Sequence, residues 1–102
     1  MDVFAIAAIR LHDVDGHVVR VRWARFDAER RVYLEPPREA AVDAVIAALA
    51  AGHTVMTAFE VEGLHFTGAD VRRAVLRNGR HTIVNAGAVG HSGPTLTDLP
   101  EF

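Results

Sequence analysis

Cysteine is absent from the 102 residues, which excludes disulfide scaffolds, thiolate zinc sites and cysteine nucleophiles. Lysine and glutamine are absent too, so all 11 basic side chains are arginines. The plain reading of that bias is the codon usage of a GC-rich bacterial genome. Its physical consequence is a set of planar guanidinium forks suited to bidentate carboxylate or phosphate contacts. There is one serine, Ser92, in a glycine-rich stretch where nothing holds a nucleophile to the tolerance catalysis needs. No run approaches the roughly 18 apolar residues of a membrane span. The apolar stretch 3–9 follows Asp2 rather than a basic leader, so no signal peptide is expected. No glycine-rich loop follows a strand and opens a helix, so no nucleotide phosphate cradle is expected. Trp23 and Tyr33 are each the only one of their kind, leaving few stacking platforms for single-stranded nucleic acid. The net charge of −2 is too balanced for the field of a dedicated nucleic-acid binder. Together these absences predict a cytoplasmic, soluble protein with no catalytic residues, no cofactor, no bound metal and no membrane partner.

Half of the residues are hydrophobic, enough for a core in a single domain of this length. Segments 3–12 and 17–26 alternate as strands, and Asp13-Val14-Asp15-Gly16 lies between them. A three-residue loop with Gly16 in the left-handed position closes this as a hairpin. That choice sets Leu11 opposite Val19, Ile9 opposite Val21 and Ala7 opposite Trp23 on one side. Arg10 then faces Arg20, Ala8 faces Arg22, Ile6 faces Ala24 and Phe4 faces Phe26 on the other. It also puts His12 and His17 on opposite faces.

Residues 32–34 read as a short edge segment. Pro36-Pro37 marks a helix entry, and Val42, Val45, Ile46 and Leu49 follow helical spacing up to Gly52, so a helix is expected over 38–51. Residues 53–62 alternate again, Gly63 suggests a turn, and 64–66 resume in extended form. The stretch after Thr67 fits either a capped helix or one arm of a hairpin turning at Asn78-Gly79. The hairpin is favoured because residues 81–84 need an antiparallel neighbour. The fold class expected is α+β: a curved antiparallel sheet of four or five strands with one main helix packed on one face, in the order ββαβββ, with a β-grasp-like arrangement as the nearest analogue. Residues 1–85 form the single domain, and 86–102 form a mobile tail with Gly87, Gly90, Gly93 and Pro94.

With these elements placed, the chain resembles the small bacterial proteins of domain-of-unknown-function family 3892. The resemblance rests on Ala8-Ile9-Arg10, on Asp15-Gly16 before an alternating strand, and on a helix ending in Ala51-Gly52 with Val55 starting a new strand. It also rests on Asn78-Gly79 before Ile83 and on the closing Leu96-Thr97-Asp98-Leu99-Pro100-Glu101-Phe102. The family's Tyr-Leu-Arg-like run in the last strand is here His81-Thr82-Ile83-Val84. The resemblance implies a compact α+β fold and carries no known activity and no functional residues.

Two groups of residues stand out for function. Arg10, Arg20 and Arg22 share a face, and Arg10 directly across from Arg20 is a repulsive pair. Either Glu60 and Glu62 compensate it within the chain, or the three arginines form an anion site for a phosphate, a nucleic-acid backbone or an acidic partner. Arg72, Arg73, Arg77 and Arg80 could extend such a site. In the tail, Leu96, Leu99 and Phe102 recur every third residue. They either fold back onto their own sheet or reach a neighbouring subunit or partner. The second face of the hairpin, with Phe4, Ile6, Ala24 and Phe26, supports the latter, because one helix covers only one side of a sheet.

The stretch His12-Asp13-Val14-Asp15-Gly16-His17 collects two imidazoles and two carboxylates, but opposite faces for the two histidines argue against shared ligation. Asp-x-Asp-Gly is part of a calcium loop without its later ligands and is ordinary turn chemistry. His53, His65, His81 and His91 show no metal spacing. The expectation is thus a non-catalytic interaction module that self-associates as a homodimer or binds another protein through Phe4, Ile6, Phe26, Leu96, Leu99 and Phe102. The alternative is an anion or nucleic-acid binding module acting through Arg10, Arg20 and Arg22.

Overall fold

A computed structural model describes residues 2–85 and 96–102. Strands β1 (Val3–Leu11) and β2 (Val18–Asp27) form the expected antiparallel hairpin. Its centre has the expected register, with Ala8 opposite Arg22, Ile9 opposite Val21 and Arg10 opposite Arg20. On either side the pairing shifts by one residue. Ala7 is bulged out of β1, so Ile6 meets Trp23, Ala5 meets Ala24 and Phe4 meets Arg25; Val19 is bulged out of β2, so Leu11 meets Val18. The expected pairs Phe4–Phe26, Ile6–Ala24, Ala7–Trp23 and Leu11–Val19 are therefore not formed. A bulge adds one residue to one strand and inverts the alternation beyond it. Phe4 and Ile6 thereby turn to the helix side, where Ile6 is fully buried and the Phe4 ring stacks on Trp23 at 4.6 Å.

After β2 the chain doubles back along the outer edge of that strand in two short pieces. β3 (Val32–Tyr33) pairs with Phe26 and Asp27, and β4 (Arg38–Ala41) pairs with Arg20, Val21, Arg22 and Trp23. Pro36-Pro37, which lack backbone N–H groups, separate the two pieces. The expected helix start at residue 38 is thus four residues early: α1 spans Val42–Ala50, and Ala41 before it is extended, with ψ 154°. Arg38-Glu39-Ala40-Ala41 suits a helix by propensity, but the free edge of β2 offers a full ladder partner, and tertiary context overrides propensity.

The helix ends before Gly52, and β5 (Thr54–Val61) then runs parallel to β1, Val3 to Ile6 lying beside Thr54 to Thr57. The helical crossover returns the chain to the end of the sheet where β1 began, and that is what makes the pair parallel. The next two strands, β6 (Leu64–Val75) and β7 (His81–Asn85), are the favoured hairpin rather than a helix. Its loop is one residue longer than expected: Leu76 N donates to Arg80 O at 2.7 Å, and Gly79 closes the turn at φ +83°.

The sheet order is β3-β2-β1-β5-β6-β7, with β4 also on β2. The fold is therefore α+β with one helix, but its sheet is mixed and seven-stranded, not an antiparallel sheet of four or five strands. It curls until Thr82 Oγ1 on β7 donates to Val18 O on β2 at 2.9 Å. Inside the curl lie Ile6, Ile9, Val21, Val45, Val55 and Ile83. A second, smaller core of Ala5, Phe26 and Ala58 lies on the opposite face, with Tyr33 and Met56 packed against it.

Of the expected tail, residues 86–95 lie outside the described residues. Residues 96–102 belong to the packed domain: Leu96 and Leu99 enter the main core from a single turn of 3-10 helix (Leu96–Asp98). Ile9 N then donates to Pro100 O at 2.9 Å and Phe102 N to Ile9 O at 3.1 Å. This parallel bridge lies along β1 past the last residue that pairs with β5. Among the described residues no helix is long and apolar enough to cross a membrane.

Candidate functional site

The central register of the β1–β2 ribbon brings Arg10, Arg20 and Arg22 to one face, as expected. What offsets their repulsion is not Glu60 or Glu62, neither of which pairs with them among the described residues. Arg20 Nε donates to Glu39 Oε1, carried in by β4. Arg10 Nε donates to the Phe102 carbonyl oxygen at 2.8 Å. The Arg10 and Arg22 guanidinium carbons stand 5.0 and 4.5 Å from the centre of the Phe102 ring. The three side chains thus hold the chain's own Glu39 and Phe102, and an added anion would compete with both. Exposed contacts of this kind are each worth about 1 kcal/mol or less.

The six residues expected at an association surface fall in three places. Phe4 and Ile6 join the helix-side core, and so do Leu96 and Leu99. Phe26 fills the second core, its ring edge-on to Tyr33 at 4.9 Å and to His65 at 6.2 Å. Phe102 lies under the arginines. The apolar strip read from an unbroken ribbon is therefore divided between the two cores.

A different apolar surface is exposed. Val32 of β3 (44% exposed) and Leu64 and Phe66 of β6 (63% and 44%) line one cleft together with Arg30, Arg31 and His65. Two turns frame it, 28–31 before β3 and 62–63 between β5 and β6. Each holds a non-glycine residue in the left-handed region, Arg31 at φ +58° and Glu62 at φ +52°. The cleft escaped the sequence reading because Val32 and Leu64 come together only through the curl of the sheet; the signal was the run of large apolar residues around Gly63.

His65 also lines a cavity of about 550 Å³, together with Ala7, Tyr33, Ala58, Glu60 and Pro100, among others. Tyr33 Oη donates to Ala5 O at 3.3 Å, and burial pushes the phenol up from 10.0 to about 12. Burial disfavours the phenolate, so the stability tied to the neutral ring is complete below pH 10 and is lost as pH rises through about 12. Because Tyr33 is the only tyrosine, tyrosinate absorbance reads it alone. The native chain is expected to titrate near pH 12 and the denatured chain near 10; a native midpoint near 10 would contradict this environment.

The turn of the first hairpin also departs from the expected geometry. His12 N donates to His17 O at 2.8 Å and Gly16 N to His12 O at 3.0 Å, so the loop is 13–16, with Gly16 left-handed at φ +72°. One more loop residue than expected puts His12 and His17 directly across from each other instead of on opposite faces. Their rings stack with centroids 5.0 Å apart and planes at 11°. Asp15 Oδ2 lies 3.7 Å from His12 Nδ1 and 3.9 Å from His17 Nδ1. Next to them a cavity of about 350 Å³ is lined by Asp15, His17, Val18, Thr82, Asn85 and Leu96, among others. His53 and His65 lie elsewhere, His53 Nδ1 accepting from Asp2 N at 3.0 Å; Ser92 and His91 fall outside the described residues. Comparison with family models, with curated proteins and with solved structures returns no match for this chain.

Proposed function

We propose that the chain is a non-catalytic interaction module that pairs with a second copy of itself through the cleft between the β2–β3 and β5–β6 turns. The observation that carries this reading is the convergence of Val32, Leu64 and Phe66, all exposed, on one cleft from segments about 30 positions apart. Scattered exposed apolar residues are ordinary, but a contiguous group rimmed by charge marks association. A second copy suits it because the patch is self-complementary in charge. Arg30 and Arg31 stand on one turn, beside Glu29 and with Asp27 Oδ2 3.9 Å from Arg30 Nε, and Glu60 and Glu62 stand beside the other; both arginines and Glu60 and Glu62 are exposed. A two-fold contact places each turn's arginines against the other copy's glutamates. Two left-handed non-glycine residues in the framing turns add support, since such conformations cluster at working surfaces. Strand-to-strand addition at β3–β4 is the poorer route, because Pro36, Pro37 and the charged β4 residues blunt that edge.

The arginine group supports anion binding less well, being engaged with Glu39 and Phe102. The resemblance to family 3892 brings no activity to either reading. A cytoplasmic setting accords with a chain that has no cysteine to oxidise.

Light scattering against concentration tests the proposal. The parent chain is expected to show a dimer mass, and Leu64→Glu with Phe66→Glu is expected to weaken association at least about 100-fold, from the burial lost by two large apolar side chains. Thermal stability should change little at concentrations where the parent chain is monomeric, since both positions are exposed in the single chain, and should fall where the parent is dimeric. A parent chain that stays monomeric at high concentration overturns the reading. Heparin retention abolished by Arg20→Ala with Arg22→Ala would favour the anion site instead.

A further inference from the structure

We propose that His12, Asp15 and His17 form a binding site for a divalent transition-metal ion of the zinc class. The three residues each present one ligand atom, and these atoms all lie within 4.8 Å of one another. Two imidazole nitrogens and one carboxylate oxygen are the donor set that zinc takes in sites keeping a fourth position open, whereas calcium and magnesium prefer oxygen alone. Ligand atoms around a tetrahedral zinc stand about 3.3 Å apart, given metal–ligand distances of about 2.0–2.1 Å. Asp15 Oδ2 at 3.7 and 3.9 Å from the two Nδ1 atoms needs only a small closure. Asp15 is half-exposed on a turn and has room for that movement.

The independent observation is at His17. Its side chain is only 9% exposed, yet Nδ1 has no hydrogen-bond partner among the described residues. A buried polar atom is normally satisfied, and one that is not asks for an explanation such as an ion. This nitrogen borders the same space as Asp15 Oδ2. His12 is less free, because its Nδ1 accepts from Val14 N and Asp15 N at 3.2 Å each. A metal at Nδ1 displaces those two long bonds, and the two N–H groups belong to exposed residues that water can serve. The paired, stacked rings and the turn carboxylate then become a clamp joining the two ends of the loop at 13–16. This site stands apart from the proposed association cleft, so either proposal can fail without the other.

The test is titration of the metal-free chain with Zn²⁺ by calorimetry, with Co²⁺ as a spectroscopic probe and thermal melting as a third readout. One Zn²⁺ per chain is expected, with a visible Co²⁺ spectrum of tetrahedral type. At about 100 times its dissociation constant, Zn²⁺ should raise Tm by roughly 10–20 °C. His12→Ala, at a half-buried position that leaves the core intact, and Asp15→Asn should each weaken Zn²⁺ binding about 100-fold or more. His53→Ala and His81→Ala should leave it unchanged, and Ca²⁺ and Mg²⁺ should give no shift in Tm. His17→Ala serves as a further variant if it folds by circular dichroism. Absence of Zn²⁺ binding, or binding that survives His12→Ala with Asp15→Asn, overturns the assignment. So does binding that follows His53 or His81.

Discussion

A chain ending at residue 95 is expected to lose its cooperative thermal transition and to bind a hydrophobic dye at 25 °C. Residues 96–102 supply two nearly fully buried leucines, Leu96 at 4% and Leu99 at 3% exposure. Losing each costs about 2–5 kcal/mol when the site cannot collapse. The same cut removes the two backbone bonds to Ile9. It also strips the buried Asn85 Oδ1 of its donor, Leu96 N at 2.8 Å. Asn85 Nδ2 is already without a partner among the described residues, so the whole amide would be left unsatisfied, a penalty of about 1–3 kcal/mol per group. These losses together are comparable to the roughly 5–15 kcal/mol that holds a domain folded. The milder variant Leu99→Ala should still fold, with a stability lower by about 2–5 kcal/mol in denaturant titration. A shortened chain melting cooperatively within a few degrees of the parent would show that the segment is peripheral.

Phe26→Ala is expected to lower stability by about 3–5 kcal/mol and to leave the solution mass unchanged. Phe26 is 2% exposed and sits among Ala5, Ala58, Tyr33 and His65. Removing it opens a void in a core too small to refill it. On the sequence reading Phe26 lies on an exposed association face, where truncation would dissociate a dimer at little cost in stability. The two outcomes are opposite in both measurements, so urea unfolding and light scattering on one variant decide between them. Loss of association without loss of stability would restore the exposed face and count against the cleft of Val32, Leu64 and Phe66.

What the sequence made legible was local. The opening hairpin, the apolar stripe of α1, the turn at Gly63 and the late hairpin all follow from alternation, helical spacing and turn residues. The parallel pairing of β1 with β5 left no mark, because parallel partners meet only through a crossover and share no turn. β4 was hidden by residues that favour a helix until an edge strand is offered to them. The bulges at Ala7 and Val19 were also silent, since neither is a glycine nor stands by a proline.

The candidate sites repeat this pattern. The grouping of Arg10, Arg20 and Arg22 was readable from the register, but the contact of Arg10 and Arg22 with Phe102, 92 positions from Arg10, was not. The pairing of His12 with His17 turned on a single loop residue. Asp13-Val14-Asp15-Gly16 suits loops of three or four residues alike, and the two lengths put the imidazoles on opposite faces or on the same one.

The two bulges have a consequence for how this protein tolerates changes in length. One extra residue sits in each strand, Ala7 at the middle of β1 and Val19 near the start of β2, so neither is absorbed by a turn. Deleting Ala7 alone would remove its bulge and leave Phe4 and Ile6 on the helix side, because Ile6 and Ala8 already oppose the adjacent residues Trp23 and Arg22, and deleting Val19 alone would likewise leave Val18 opposite Leu11. Single-residue gaps at these two positions should therefore be tolerated in descendants of this gene, whereas a gap at a paired position of either strand would turn every residue beyond it to the other face of the sheet.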